Sequence, residues 1–142
     1  MKVKEVIFVS ACLCGVNCRY NGRGELNLKI KDLMIDNMII PVCPEQLGGL
    51  TTPRDPCEIK EGLIITYKGD DLTAYFNKGA LEVLKLMNLY GSKKAILKER
   101  SPSCGVNFVY DGSFTGKVVK GEGLLSKLLR ENDFLVVSED EI

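Results

Sequence analysis

Three short apolar runs in this chain each end at, or just before, a cysteine, and that pattern limits the possible folds more than any other feature. EVIFVSAC ends at Cys12, MIIPVC ends at Cys43, and KKAIL is followed within seven residues by Cys104. Apolar, partly β-branched runs of this length between polar loops read as buried parallel strands. In an open parallel sheet the strand carboxyl ends share one edge, and ligands bind there. Three thiols from distant parts of the chain can therefore meet at one point. The sequence contains no histidine, so such a meeting favours a soft metal centre, or an iron–sulfur cluster with one coordination position open.

The rest of the chain alternates helix and strand signals. Leu26, Ile30, Leu33 and Met34 keep helical spacing after a loop rich in Gly and Asn. Met38 to Val42 reads as a strand, with Pro41 directing it to an edge or bulge because proline cannot donate to a ladder. Gly48, Gly49, Pro53 and Pro56 argue against long regular structure in the next loop. Leu63 to Tyr67 reads as a short edge strand. Asp70 or Asp71 can cap a helix whose apolar stripe is Phe76, Ala80, Val83, Leu84 and Met87, with Gly91 as its stop. Ala95 to Leu97 is a strand, and Asp111-Gly112 is a hairpin turn signal within Val109 to Phe114. Gly121 and Gly123 lead into a helix carrying Leu124, Leu125, Leu128 and Leu129, and Phe134 to Val137 closes as a strand. The alternation predicts one α/β domain over residues 1–142, with a mainly parallel, Rossmann-like sheet flanked by helices.

Composition narrows the function. A chain of 142 residues buries about 68–70% of its unfolded surface and needs no disulfides to hold a core. Lys+Arg and Asp+Glu are both 19, so no basic excess suggests nucleic acid as a partner, and a small ligand fits better. The first apolar run stops at Ser10, too early for a signal peptide, and no stretch approaches the roughly 20 apolar residues of a membrane span. The expected compartment is the cytosol, where thiols stay reduced and cysteines read as metal-binding or catalytic before they read as disulfides. Buried structural cysteine is the expectation for the remainder.

The cysteines fall in three loops. SACLCGVNCRYNG holds Cys12, Cys14 and Cys18; CPEQLGGLTTPRDPCEI holds Cys43 and Cys57; KERSPSCG holds Cys104. Pairs spaced like zinc knuckles are not repeated, and the Cys-x-x-Cys of thioredoxin-like redox proteins is missing. These residues favour an iron–sulfur cluster and leave a four-cysteine zinc site open as the alternative.

At the same loops the chain resembles the iron–sulfur thiouracil desulfidases. The matching stretches are SACL-x-G-x-NCRY-x-G, CPEQLGGL-x-TPR, LT-x-x-F-x-KGA, ILKERSPSCG, YDG-x-F-x-G and LLREN. They keep their order and span most of the chain. The resemblance implies a 4Fe-4S cluster held by Cys12, Cys43 and Cys104, with one iron open to the sulfur of a thiolated pyrimidine. It implies hydrolytic removal of that sulfur from thiouracil or a thiouridine nucleotide, and cluster loading by iron–sulfur assembly machinery. A non-catalytic iron–sulfur or zinc-binding sensor or carrier is the alternative reading of the same thiols.

Around this centre, Glu45 is the general acid/base candidate, a role that requires a carboxyl within hydrogen-bond reach of the reacting water. Ser101, favoured by the resemblance, and Ser103 flank Pro102 and can position water or substrate. Arg19 and Arg54 can hold a phosphate or the pyrimidine carbonyl. Gly48 and Gly49 can allow close backbone approach to cluster or ligand, or can simply serve a turn. The chain departs from the family pattern at Cys14, Asn21 and Cys57, where aliphatic, aspartate and small apolar residues are more usual. Cys14 and Cys18 stay open as competitors of Cys12 for the cluster.

Overall fold

The computed structural model describes residues 5–142. Strand β1 (Glu5–Ser10) runs into a 3-10 turn at Ala11–Leu13, and α1 (Leu28–Leu33) then leads to β2 (Asn37–Val42). Helix α2 (Pro44–Leu47) follows at once, then a hairpin of β3 (Cys57–Lys60) and β4 (Leu63–Thr66). Helix α3 (Thr73–Tyr90) feeds β5 (Lys94–Leu97), which is followed by the hairpin β6 (Phe108–Tyr110) and β7 (Val118–Lys120). Helix α4 (Leu124–Glu131) and β8 (Leu135–Ser138) complete the order, and β8 runs into a second 3-10 turn at Glu139–Glu141.

The main sheet has the order β2-β1-β5-β8, with all neighbours parallel. Side chains alternate across it as strand geometry requires. Phe8, Ala95, Leu97 and Val136 face one layer, where Ala80, Val83 and Met87 of α3 and Leu125 and Leu129 of α4 cover them. Ile7, Val9 and Ile96 face the other layer, against Ile30 of α1. Both faces are thus buried, which is why these strands read as continuous apolar runs. The chain goes from β1 out to β2, then crosses back over β1 to β5. Chain order reverses between β1 and β5, so the carboxyl ends of β1, β2 and β5 lie side by side.

Several expectations are met in place and modified in detail. β2 is an edge strand, and Pro41 opposite Val9 is tolerated there. Helix α3 ends at Gly91 with φ 65°, a left-handed stop. Its N-cap position is Leu72, however, and Asp71 acts one residue earlier by accepting from Thr73 N at 2.9 Å. The predicted strand near Leu63 belongs to a separate hairpin rather than to the main sheet. Asp111-Gly112 does not make a two-residue turn: Tyr110 pairs with Val118, and Asp111 N donates to Lys117 O across a longer loop. The loop that was expected to hold little regular structure begins with α2, a single turn started by Pro44. Among the described residues, no helix is long and apolar enough to cross a membrane.

Candidate active site and metal centre

A cavity of about 470 Å³ opens at the carboxyl ends of β1, β2 and β5, and Cys12, Cys43 and Cys104 all line it. Each thiol is placed by local structure. Cys12 lies in the 3-10 turn after β1, and its carbonyl accepts from Gly15 N and Glu25 N at 3.3 and 3.0 Å. Cys43 is the N-cap residue of α2. Cys104 sits in a turn closed by Gly105 N donating to Ser101 O at 2.8 Å. Ser101 Oγ accepts from the N–H groups of Ser103 and Cys104 at 3.2 and 3.1 Å, the local back-bonding that serine favours over helix or strand.

Glu45, in the first turn of α2, is 9% exposed and meets both serines. Ser103 Oγ donates to Glu45 Oε1, Ser101 Oγ does so at 3.4 Å, and the two hydroxyls are 3.0 Å apart. The other carboxyl oxygen, Oε2, accepts from Cys43 Sγ at 3.5 Å. A carboxylate fixed by two hydroxyls, beside a thiol-lined cavity, can receive and return a proton at a defined place.

The thiols differ in their surroundings. Hydrogen bonding from the Cys18 thiol holds both Cys12 and Cys43 below the ordinary cysteine range, against the effect of burial, and pushes Cys18 itself up. Lys98 and Arg19 add a cationic field at Cys12. Burial pushes Cys104 well up, and the Glu45 charge adds to this against the hydroxyls of Ser10 and Ser103. Burial also raises Cys14, and raises Cys57 to about 11. Among the described residues no three Cys, Asp or Glu side chains are grouped to hold a single ion; the thiols are instead distributed around the cavity. Cys12, Cys43 and Cys104 would suit a cluster of several irons better than a single ion.

Lys98, Glu99 and Glu139 were missed in the sequence. Glu99 is 4% exposed and accepts from the backbone N–H groups of Val106, Asn107 and Phe108 at 2.7, 2.8 and 3.0 Å, which shapes the loop carrying Ser101, Ser103 and Cys104. Lys98 lines the cavity and is held by Glu139 Oε2 at 3.0 Å, while Glu139 Oε1 accepts from Glu99 N at 2.7 Å. The available signal was the capping box Ser138-x-x-Glu141, which fixes the turn that presents Glu139.

Arg19 and Arg54 both line the cavity. Arg54 spends much of its guanidinium on the protein: Nη2 donates to Cys18 O at 3.1 Å, and Nη1 to Thr52 Oγ1 at 3.0 Å and Thr51 O at 3.3 Å. Gly48 and Gly49 are not among the residues that line the cavity, and their surroundings favour the turn reading over contact with a ligand. A Cβ on Gly48 would lie 2.0 Å from Tyr75 O, so this glycine lets α2 cross the backbone of α3. Gly49 takes φ +101° at the turn after α2, a conformation that L side chains rarely adopt. The outer wall comes from the two hairpins, with Cys57, Glu58, Tyr110 and Phe114 lining the cavity. Glu58 Oε1 joins the hairpins by accepting from Gly112 N and Phe114 N at 3.0 and 3.1 Å.

Fold and cavity together define an α/β protein built around a thiol-lined cavity with a buried carboxyl group beside it. The chain belongs to the 2-thiouracil desulfurase family, whose family model matches residues 7–141. It is 40% identical to the uncharacterized protein YbbK of Bacillus subtilis (strain 168), over 96% of this chain and 97% of that protein. It is also similar to the solved structure of the [4Fe-4S]-dependent thiouracil desulfidase TudS, with a TM-score of 0.93 and 41% identity over 98% of this chain and 93% of that one.

Proposed function

We propose that this chain, acting as one domain over residues 1–142, is a 4Fe-4S-dependent desulfidase that removes sulfur from thiouracil or a thiouridine nucleotide. The observation that carries the reading is the convergence of Cys12, Cys43 and Cys104 on one cavity with Glu45. The donor set fits the cluster: three thiols from three strand ends, no histidine in the chain, and space beside them for a small ring. The reversal of chain order between β1 and β5 is where a Rossmann-like sheet binds its ligand, and we read the sheet in that way. When bound, the cluster would supply a Lewis-acidic iron with affinity for sulfur.

The chain's own residues supply the proton chemistry. Glu45 Oε1 takes a proton from water as the water oxygen adds to the ring carbon that bears sulfur. The same carboxyl returns that proton to the departing sulfur, which leaves as hydrosulfide while the adduct's hydroxyl releases its remaining proton to solvent as C=O forms. Ser101 and Ser103 hold the carboxyl oxygen in place through both steps. C=S and water become C=O and hydrogen sulfide, with no net electron transfer. Arg19 and Arg54 at the cavity wall suit the ring carbonyl or a phosphate. Six free thiols fit a reducing cytosol, where iron–sulfur assembly machinery would load the cluster.

The test is anaerobic reconstitution followed by metal analysis and turnover. About four iron and four sulfide per chain are expected, with 2-thiouracil converted to uracil and one sulfide released per uracil. A stable cluster without turnover would leave a sensor or carrier in place of the enzyme. Zinc, with no uptake of iron, would remove the desulfidase reading.

A further inference from the structure

Cys18 is a thiol of the cavity that the proposed reaction does not use. It is 2% exposed, it lines the cavity together with Cys12 and Cys43, and it packs with both on the α1 side of the sheet. Its backbone is fixed at both ends. Cys18 N donates to Val16 O at 2.8 Å, and Cys18 O accepts from Arg54 Nη2 at 3.1 Å. Arg54 is held in turn by its own N–H donating to Tyr20 O at 2.8 Å.

The neighbourhood of Cys43 gives this placement a purpose. As a thiol, Cys43 Sγ donates toward Cys18 O at 3.8 Å and Glu45 Oε2 at 3.5 Å. A cysteine that binds iron is a thiolate and has no proton to give. Two acceptor oxygens would then face a negative sulfur that has one backbone donor, the N–H of Gln46, so a further donor beside it stabilises the charge. Cys104 has such a donor in the hydroxyl of Ser10, and Ser103 Oγ, whose proton goes to Glu45, lies 3.5 Å from its sulfur. The side-chain donor placed beside both Cys12 and Cys43 is the S–H of Cys18, which lines the same cavity and packs in the same cluster.

Building on the cluster reading above, we propose that Cys18 is a positioning residue outside the ligand set. Its S–H donates to the Cys12 or Cys43 thiolate, while Arg54 anchors its backbone. Hydrogen bonds to ligand sulfurs favour the more negative state of a cluster and so raise its reduction potential. Removing the donor moves the potential down and loosens the cluster.

The test uses the reconstituted full chain as wild type, Cys18→Val and Cys18→Ser. Valine keeps the volume without a donor, and serine restores one. Two quantities are measured: the cluster midpoint potential, and the rate at which a chelator bleaches cluster absorbance. Cys18→Val is expected to shift the midpoint to a more negative value and to bleach several-fold faster, with Cys18→Ser close to wild type. A Cys18→Val cluster indistinguishable from wild type overturns the inference. So does loss of iron in both variants as complete as in Cys12→Ala, which would make Cys18 a ligand. If the valine variant does not fold, Cys18→Ala against Cys18→Ser gives the same comparison. A wild-type chain that takes up no iron and sulfide overturns the cluster reading itself, a result separate from any difference among the variants.

Discussion

At the scale of single residues, two buried carboxylates do unlike work because their partners differ. Glu45 faces side-chain hydroxyls and a thiol, whose protons can be exchanged. Glu45→Gln keeps a similar shape without a proton-accepting carboxylate. The variant is expected to retain its iron while turnover falls by about 10²–10⁴-fold, the range for loss of a general base; metal content and uracil formation measured on one sample check this. Glu99 faces backbone amides, so it organises a loop. Burial opposes its charge, but the N–H groups of Phe108, Asn107 and Val106 outweigh burial and hold its pKa below the ordinary value. A carboxyl depressed on folding contributes stability that is fully present above its unfolded pKa of about 4.3 and is lost as pH falls through the folded value. Glu99→Gln is therefore expected to cost about 1–3 kcal/mol at pH 7, with the gap from wild type closing in acid. Urea unfolding at neutral pH and below about pH 4 checks the sign, and a gap that stays constant with pH would rule out the ionised role. Glu45 was legible in the sequence because it follows a strand-end cysteine by two residues. Glu99 was not, because its partners are main-chain groups that any sequence supplies.

At the scale of elements, the approach of α2 to α3 fixes where Cys43 and Glu45 point. Gly48 and Gly79 allow it: a Cβ on Gly79 would lie 1.8 Å from Pro44 O. Gly79→Ala sets two effects against each other. Alanine favours the helix by about 0.5–1 kcal/mol, whereas overpacking against backbone costs about 1–3 kcal/mol or more. The clash is with a carbonyl that cannot rotate away, so overpacking wins. A lower urea midpoint and reduced turnover are expected, and a more stable Gly79→Ala protein would show that α2 can shift freely. The same elements show what sequence pattern can and cannot convey. The main strands and α3 were legible because burial on both faces, or on one stripe, leaves a period in the residues. Helix α2 and the loop from Asp111 to Lys117 were not, because a single turn leaves no period and a Gly after Asp serves more than one kind of loop.

At the scale of the whole molecule, the three proposed ligands Cys12, Cys43 and Cys104 lie in the segments that follow three adjacent parallel strands. A cluster bound to all three would couple most of the sheet, and a ligand that binds only the folded state raises its stability by mass action. The loaded protein is expected to melt above the cluster-free one, by about 4 °C for each kcal/mol of coupling in a chain of this size. Calorimetry before and after chelation checks this, and equal melting temperatures would mean that the thiols do not share one centre. The convergence was legible in the sequence, because parallel topology brings strand ends together wherever they lie in the chain.

The outer wall of the cavity belongs to neither layer of that sheet. It is a frame of two short ribbons, β3–β4 and β6–β7, clasped by Glu58. Anchorage and admission are therefore separate inheritances in this architecture. The sheet keeps the thiols where they are, while the ribbons decide what reaches them. A change in ribbon length or in Phe114 and Tyr110 can retune which molecules pass the rim and leave Cys12, Cys43 and Cys104, which follow the sheet strands, in place.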